Sequence, residues 1–119
     1  AIWYAGEDLW AVGINGTFGF INANGKFIVQ PNLQLVYSFS EGLAAFQTNE
    51  KWGYLDKDGN VVIQPIYQLA WNFTEELARV AGNGGIIFIN KQGEVVLSPL
   101  FLDIRNFSEG LARVQVYRR

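Results

Sequence analysis

The chain predicts an all-β domain of tandem 34-residue units, each a three-stranded antiparallel β-meander, stacked as a solenoid-like array. Three observations carry this. First, the sequence repeats without a gap. "FSEGL" occupies residues 39–43 and 107–111, and "FTEEL" occupies 73–77. Leu9, Leu43, Leu77 and Leu111 fall in one column, as do Gly25, Gly59 and Gly93, and Glu7, Glu41, Glu75 and Glu109. All three prolines, Pro31, Pro65 and Pro99, share a column too. A fixed period in this range marks a repeat architecture. Second, the apolar residues alternate or come in short β-branched runs bounded by turn residues. Third, no stretch carries a convincing helical pattern.

The units run 5–38, 39–72 and 73–106, and 107–119 opens a fourth, all within a single repeat domain. "AIWY" at 1–4 matches "LVYS" at the end of the first unit, so the chain is expected to open on the tail of a preceding one. It lacks an initiating methionine and reads as a piece of a longer protein. Each unit starts with an alternating strand, "LAAFQT", "LARVAG" or "LARVQV". Asn15, Asn49 and Asn83 follow, suited to a left-handed turn between antiparallel strands. The second strand is "FGFIN", "WGYLD" or "IIFIN". Then "NANGK", "DKDGN" and "NKQGE" place glycine where a tight hairpin requires positive φ. The third strand, "KFIVQP", "NVVIQP" or "EVVLSP", is expected to stop at proline, which cannot donate to a ladder. An irregular segment such as "IYQLAWN" leads to the next unit.

Composition narrows the chemistry. Half of the 119 residues are apolar and 17% are charged, the balance of a chain that folds. The net charge of −2 supplies no field for nucleic-acid phosphates, and Arg113, Arg118 and Arg119 make only the C-terminus mildly basic. No apolar run is long enough to insert in a membrane as a helix. The chain has no cysteine and no histidine. That removes thiolate nucleophiles, the usual general base and the commonest metal ligands.

The second unit, "FSEGLAAFQTNEKWGYLDKDGNVVIQPIY", resembles the WG (KWG) β-repeat of bacterial proteins in "FSEGLA", "KWGYLD", "DKDGN" and "VIQPIY". The flanking units depart from it, with "TFGFIN" in the first and "GIIFIN" in the third. The resemblance implies a bacterial source and a non-catalytic module of a larger protein. It carries no ligand or catalytic residue to transfer.

Single motifs give little chemistry. The glutamates recur once per unit in one context, which spreads them along the array instead of pairing them as acid and base. Ser40 and Ser108 have no histidine to activate them, so their hydroxyls are expected to cap the local turn. "DKDGN" lacks the oxygen pattern of a calcium loop, and "GNGG" at 82–85 lacks the Lys and Ser/Thr of a phosphate loop. Asn15, Asn72 and Asn106 open N-x-Ser/Thr strings that turn chemistry accounts for without sugar. Glu76 stands where Gly42 and Gly110 stand, so φ is expected to be negative in that column.

The aromatics remain. Phe39, Phe73 and Phe107 are read as core, as are Trp52 and Tyr54, whose counterparts Phe18, Phe20, Ile86 and Phe88 stay apolar. Trp3, Tyr37, Trp71 and Arg105 form a column two residues before each unit's phenylalanine. It can cement neighbouring units, or it can form a surface that stacks on sugar rings or holds a partner's apolar side chains. The sequence therefore supports a repeat module, not an enzyme, that binds another protein and uses no cofactor. A carbohydrate- or cell-wall-binding module and a structural spacer or cap are the alternatives. The strand "LARVQVYRR" lacks hairpin partners and suggests self-association through the C-terminal strand. The compartment stays open, with an extracytoplasmic place favoured over the cytoplasm.

Overall fold

Two-residue hairpins organise the backbone. A two-residue loop matches the right-handed twist of its strands only when both loop residues have positive φ, the type I′ turn. The computed structural model, which describes residues 1–97, has this turn at Glu7–Asp8 (φ 54° and 65°), Asn15–Gly16 (52° and 85°), Glu41–Gly42 (55° and 85°), Asn49–Glu50 (52° and 68°) and Glu75–Glu76 (52° and 73°). The expectation of negative φ at residue 42 is therefore wrong. Asp8, Gly42 and Glu76 share one left-handed geometry because the hairpin imposes it, whatever residue stands there. Each non-glycine residue so placed costs about 1 kcal/mol, which the surrounding sheets must offset. Asn15 and Asn49 adopt the expected left-handed turn, whereas the third such hairpin places Gly85 at φ 110° and leaves Asn83 outside that region.

The described strands form three four-stranded antiparallel sheets, each a simple meander. The first holds β1 (Ile2–Gly6), β2 (Leu9–Ile14), β3 (Thr17–Asn22) and β4 (Phe27–Leu33). The second holds β5 (Leu35–Ser40), β6 (Leu43–Thr48), β7 (Lys51–Asp56) and β8 (Val61–Tyr67). The third holds β9 (Leu69–Ala70), β10 (Ala78–Gly82), β11 (Gly85–Ile89) and β12 (Val95–Leu97). The sheets thus have four strands where three were expected. The segment read as irregular forms the first strand of the next sheet, and residues 2–6 are a strand in their own right. "FSEGL" is correspondingly not the boundary between units. Phe39 and Ser40 end β5, Glu41 and Gly42 are its hairpin, and Leu43 opens β6.

Proline does not end the fourth strand either. β4 and β8 run through Pro31 and Pro65 to Leu33 and Tyr67. Both are edge strands, so the missing N–H breaks no ladder bond. The Pro31 carbonyl accepts the Thr17 hydroxyl at 2.6 Å. The edge strand bulges towards its neighbour at this point. A Cβ on Gly19 would lie 2.8 Å from the Pro31 nitrogen, and one on Gly53 would lie 2.7 Å from the Pro65 nitrogen. The glycine of "WG" is thus a space requirement of the bulge. The turns 22–25, 56–59 and 90–93 behave as expected, with φ of 81°, 88° and 82° at their glycines. Asn22, Asp56 and Asn90 each accept two backbone N–H groups within the turn, which is where the Asp56 carboxylate of "DKDGN" is spent.

The sheets pack face to face in sequence order. The first core joins Leu9, Ala11 and Phe20 of the first sheet to Val36, Phe39, Ala44, Phe46 and Leu55 of the second. The second core joins Leu43, Ala45, Trp52, Tyr54 and Ile63 of the second sheet to Phe73, Ala78, Val80 and Ile89 of the third. The middle sheet is covered on both faces, which is why "LAAF" is apolar at consecutive positions instead of alternating. One contact recurs a unit apart. Phe20 meets Phe39 edge-on at 4.8 Å, and Tyr54 meets Phe73 edge-on at 4.9 Å. Phe39, Phe73, Trp52 and Tyr54 are all buried, as their apolar columns predict.

Candidate partner-binding surface

In the aromatic column, Trp3 and Tyr37 sit on the first strands β1 and β5, and Trp71 directly follows β9. In β5, Val36 turns into the core while Leu35 and Tyr37 on either side of it face solvent, with 43% and 42% of their surface exposed. Trp3 of β1 is 36% exposed and Trp71 is partly buried. Leu69 holds the place of Leu35 one unit later and is 50% exposed. Each sheet edge therefore presents solvent-facing apolar groups at the same register. Arg105 lies outside the described residues, as do Ser108, Glu109, Gly110 and the strand "LARVQVYRR".

Two of these rings are fixed from behind. Tyr37 stacks on buried Trp52 at 4.6 Å with 26° between the planes. Trp71 has no such indole beneath it, because the third unit carries Ile86 where Trp52 stands. Instead the Arg79 guanidinium lies 4.4 Å from the Trp71 ring centre, in a position that Ala45 holds in the second unit. The backbone of Trp71 is held as well. Its N–H donates to the Arg79 carbonyl at 3.0 Å, and its carbonyl accepts the Tyr54 hydroxyl at 2.6 Å. Burial, then the neighbouring Tyr67, push the Tyr54 phenol well above its ordinary value, partly offset by that bond. Tyr54 stays a neutral donor. A rigid ring with part of its surface open is suited to binding because little freedom remains to be lost on contact.

Leu35, Leu69 and Arg79 are the residues that reading the sequence missed. The signal was present in "LVY" at 35–37, an alternation with an exposed leucine and tyrosine around a buried valine. It is obscured because the bulge between Val36 and Phe39 breaks the alternation of that segment.

The glutamate column turns out to be something else. Among the described residues, consecutive turns are not spread apart but touch, Glu7 and Glu41 each reaching the turn one unit on. The Glu7 carboxylate accepts the Gly42 N–H at 3.0 Å, and the Glu41 carboxylate accepts the N–H groups of Glu75 and Glu76, the latter at 2.9 Å. Lys91 adds to this by donating to the Glu41 carbonyl at 2.9 Å and standing 3.6 Å from its carboxylate. Lys57 stands 4.0 Å from Glu7 in the equivalent place. Ser40 also bridges units. Its hydroxyl donates to the Phe73 carbonyl at 2.7 Å instead of capping its own turn. The N–H of Glu76 does most to lower the Glu41 pKa, with smaller help from Glu75 and Lys91 against some desolvation. A carboxyl held ionised in this way is the reverse of a general acid. With its folded pKa below the unfolded one, its contribution is full above the ordinary carboxylate value and is lost as pH falls through the lowered one.

The model of the WG containing repeat matches residues 18–52, 52–84 and 88–117. No curated protein and no solved structure matches the chain.

Proposed function

The chain belongs to the family of WG containing repeats, and from that premise we propose that it is a non-catalytic module that binds another protein. In this reading the sheets extend as a solenoid-like array, and their first strands line up as an apolar ledge within a larger bacterial protein. The observation that carries the proposal is the pairing of aliphatic and aromatic residues at one register, exposed Leu35 with exposed Tyr37 and exposed Leu69 with partly buried Trp71. Rigid aromatics beside leucines provide the large apolar contacts that dominate protein interfaces. A sugar site would also require polar side chains around each ring to read hydroxyl groups, and beside Tyr37 the neighbour is Leu35. The glutamates support the non-catalytic reading, since Glu7 and Glu41 are occupied with backbone donors.

The test is a photo-crosslinking residue at position 37 of the full chain in its native host. The expected result is one discrete protein adduct that disappears when Trp71 is changed to alanine, with the fold retained by circular dichroism. No adduct, together with retention of the chain on a peptidoglycan or polysaccharide resin through Tyr37 and Trp71, would establish the carbohydrate reading in its place.

A further inference from the structure

The outer face of the first sheet departs from its counterparts in three places. In the second sheet the face that receives its predecessor carries Val36, Ala44, Phe46 and Leu55, and in the third it carries Ala70, Ala78, Val80 and Ile89. Ala44 and Ala78 are fully enclosed by this contact. One unit earlier the same positions are Ile2, Trp10, Val12 and Ile21. An indole therefore stands where the two internal junctions hold a methyl group. Tyr4, at the place of Ser38 and Asn72, packs edge-on against Trp10 at 5.1 Å.

The second departure is the hairpin N–H. In the second and third sheets, Gly42 and Glu76 donate this N–H to a glutamate of the unit before. In the first sheet the equivalent donor is Asp8, and it bonds to the Tyr4 hydroxyl at 3.2 Å. Tyr4 thus does from within its own sheet what a neighbour's carboxylate does elsewhere. The third departure is Ala23. Lys57 and Lys91 reach back from the equivalent turn to the glutamates of the preceding unit, which alanine cannot do. At the second sheet, Gly59 of that turn lies against the Ile28 carbonyl of the unit before. At the first sheet a shallow open groove beside Trp10 lies in that place, lined by Ile21, Asn22, Ala23 and Gly25.

We infer that Tyr4 and Trp10 form a cap that closes this face to a repeat sheet. Close-packed junctions do not absorb an indole in place of a methyl without separating the layers. The hydrogen bond from Asp8 removes the donor that an incoming glutamate would satisfy. The closure is a property of the face, whatever chain stands before residue 1. Its use is specificity. An apolar sheet face of the stacking type is a ready contact for another sheet, and Tyr4 with Trp10 denies this one to a sheet of the repeat type.

The test adds one unit, a copy of residues 35–68, in register ahead of residue 1 of the full chain. Amide exchange and limited proteolysis then report whether it docks. With Tyr4 and Trp10 in place, the added unit is expected to exchange quickly and to be cleaved. In the Tyr4→Ser, Trp10→Ala background, which restores the small residues of the internal junctions, its strands are expected to gain about tenfold protection or more. Retained protection of β2 and β3 in both chains shows that the first sheet itself is folded. A third chain, Tyr4→Phe without the added unit, is expected to speed exchange at Asp8 alone. Docking of the added unit in both backgrounds, or in neither, overturns the inference.

Discussion

Replacing Gly53 by alanine is expected to weaken the chain by about 3 kcal/mol, lowering Tm by roughly 10 °C. The new Cβ would meet backbone, not a side chain that can swing away. It would press on the Ile63 carbonyl oxygen and lie 2.7 Å from the Pro65 nitrogen. Either β8 leaves the bulge or β7 tilts, and both disturb Trp52 and Tyr54 in the second core. Gly25→Asn is the matched control. Gly25 has φ 81° and open space around its Cβ position, and asparagine accepts that conformation. Its Tm is expected to stay within a few degrees. Thermal unfolding followed by circular dichroism separates the two variants, and equal losses would show that the bulge does not require glycine.

Phe73→Ala is expected to cost about 4 kcal/mol, the range for truncating a buried aromatic side chain. Phe73 is fully buried, meets Tyr54 edge-on at 4.9 Å, and its carbonyl takes the Ser40 hydroxyl. The cavity falls between the second and third sheets, so the damage should be local. In amide exchange, β10 and β11 are expected to lose protection first while β2 and β3 keep theirs. Loss spread evenly over all three sheets would mean that the junctions do not behave as separate nearest-neighbour contacts.

The period was legible because one-unit spacing survives translation. Leu9, Leu43 and Leu77 align in sequence and occupy one place in the three sheets. Strand count was not legible, and β5 shows why. "LVYSFS" has a polar serine between aromatics and a bulge between Val36 and Phe39, so its alternation is broken just where pattern reading needs it. Proline misled for a related reason. It forbids a central strand, but only the strand order reveals that β4 and β8 are edges. Glu76 in the column of residue 42 points to negative φ in the sequence, yet it does not veto left-handed backbone. A hairpin geometry with many supporting contacts can hold glutamate there. In the candidate surface, Trp3, Tyr37 and Trp71 were legible as a column. Their supports were not, because Trp52 and Arg79 reach them across strands. The inter-unit role of Glu41 was hidden too, since its partners lie 34 and 35 residues away.

The account rests on sheets joined by a one-unit ladder, and amide exchange at Glu75 and Glu76 tests it most directly. Glu41→Asn keeps a residue that tolerates φ of 55° but shortens the side chain by one methylene, out of reach of both N–H groups. The prediction is that these two amides exchange about tenfold faster in the variant at neutral pH. The Asp8 amide, bonded to Tyr4, should not change. In the parent chain, the protection should hold at neutral pH and fade as acid titrates Glu41 through its lowered pKa. Unchanged exchange at 75 and 76 in Glu41→Asn would contradict the ladder, and with it the view that each repeat is held by its predecessor.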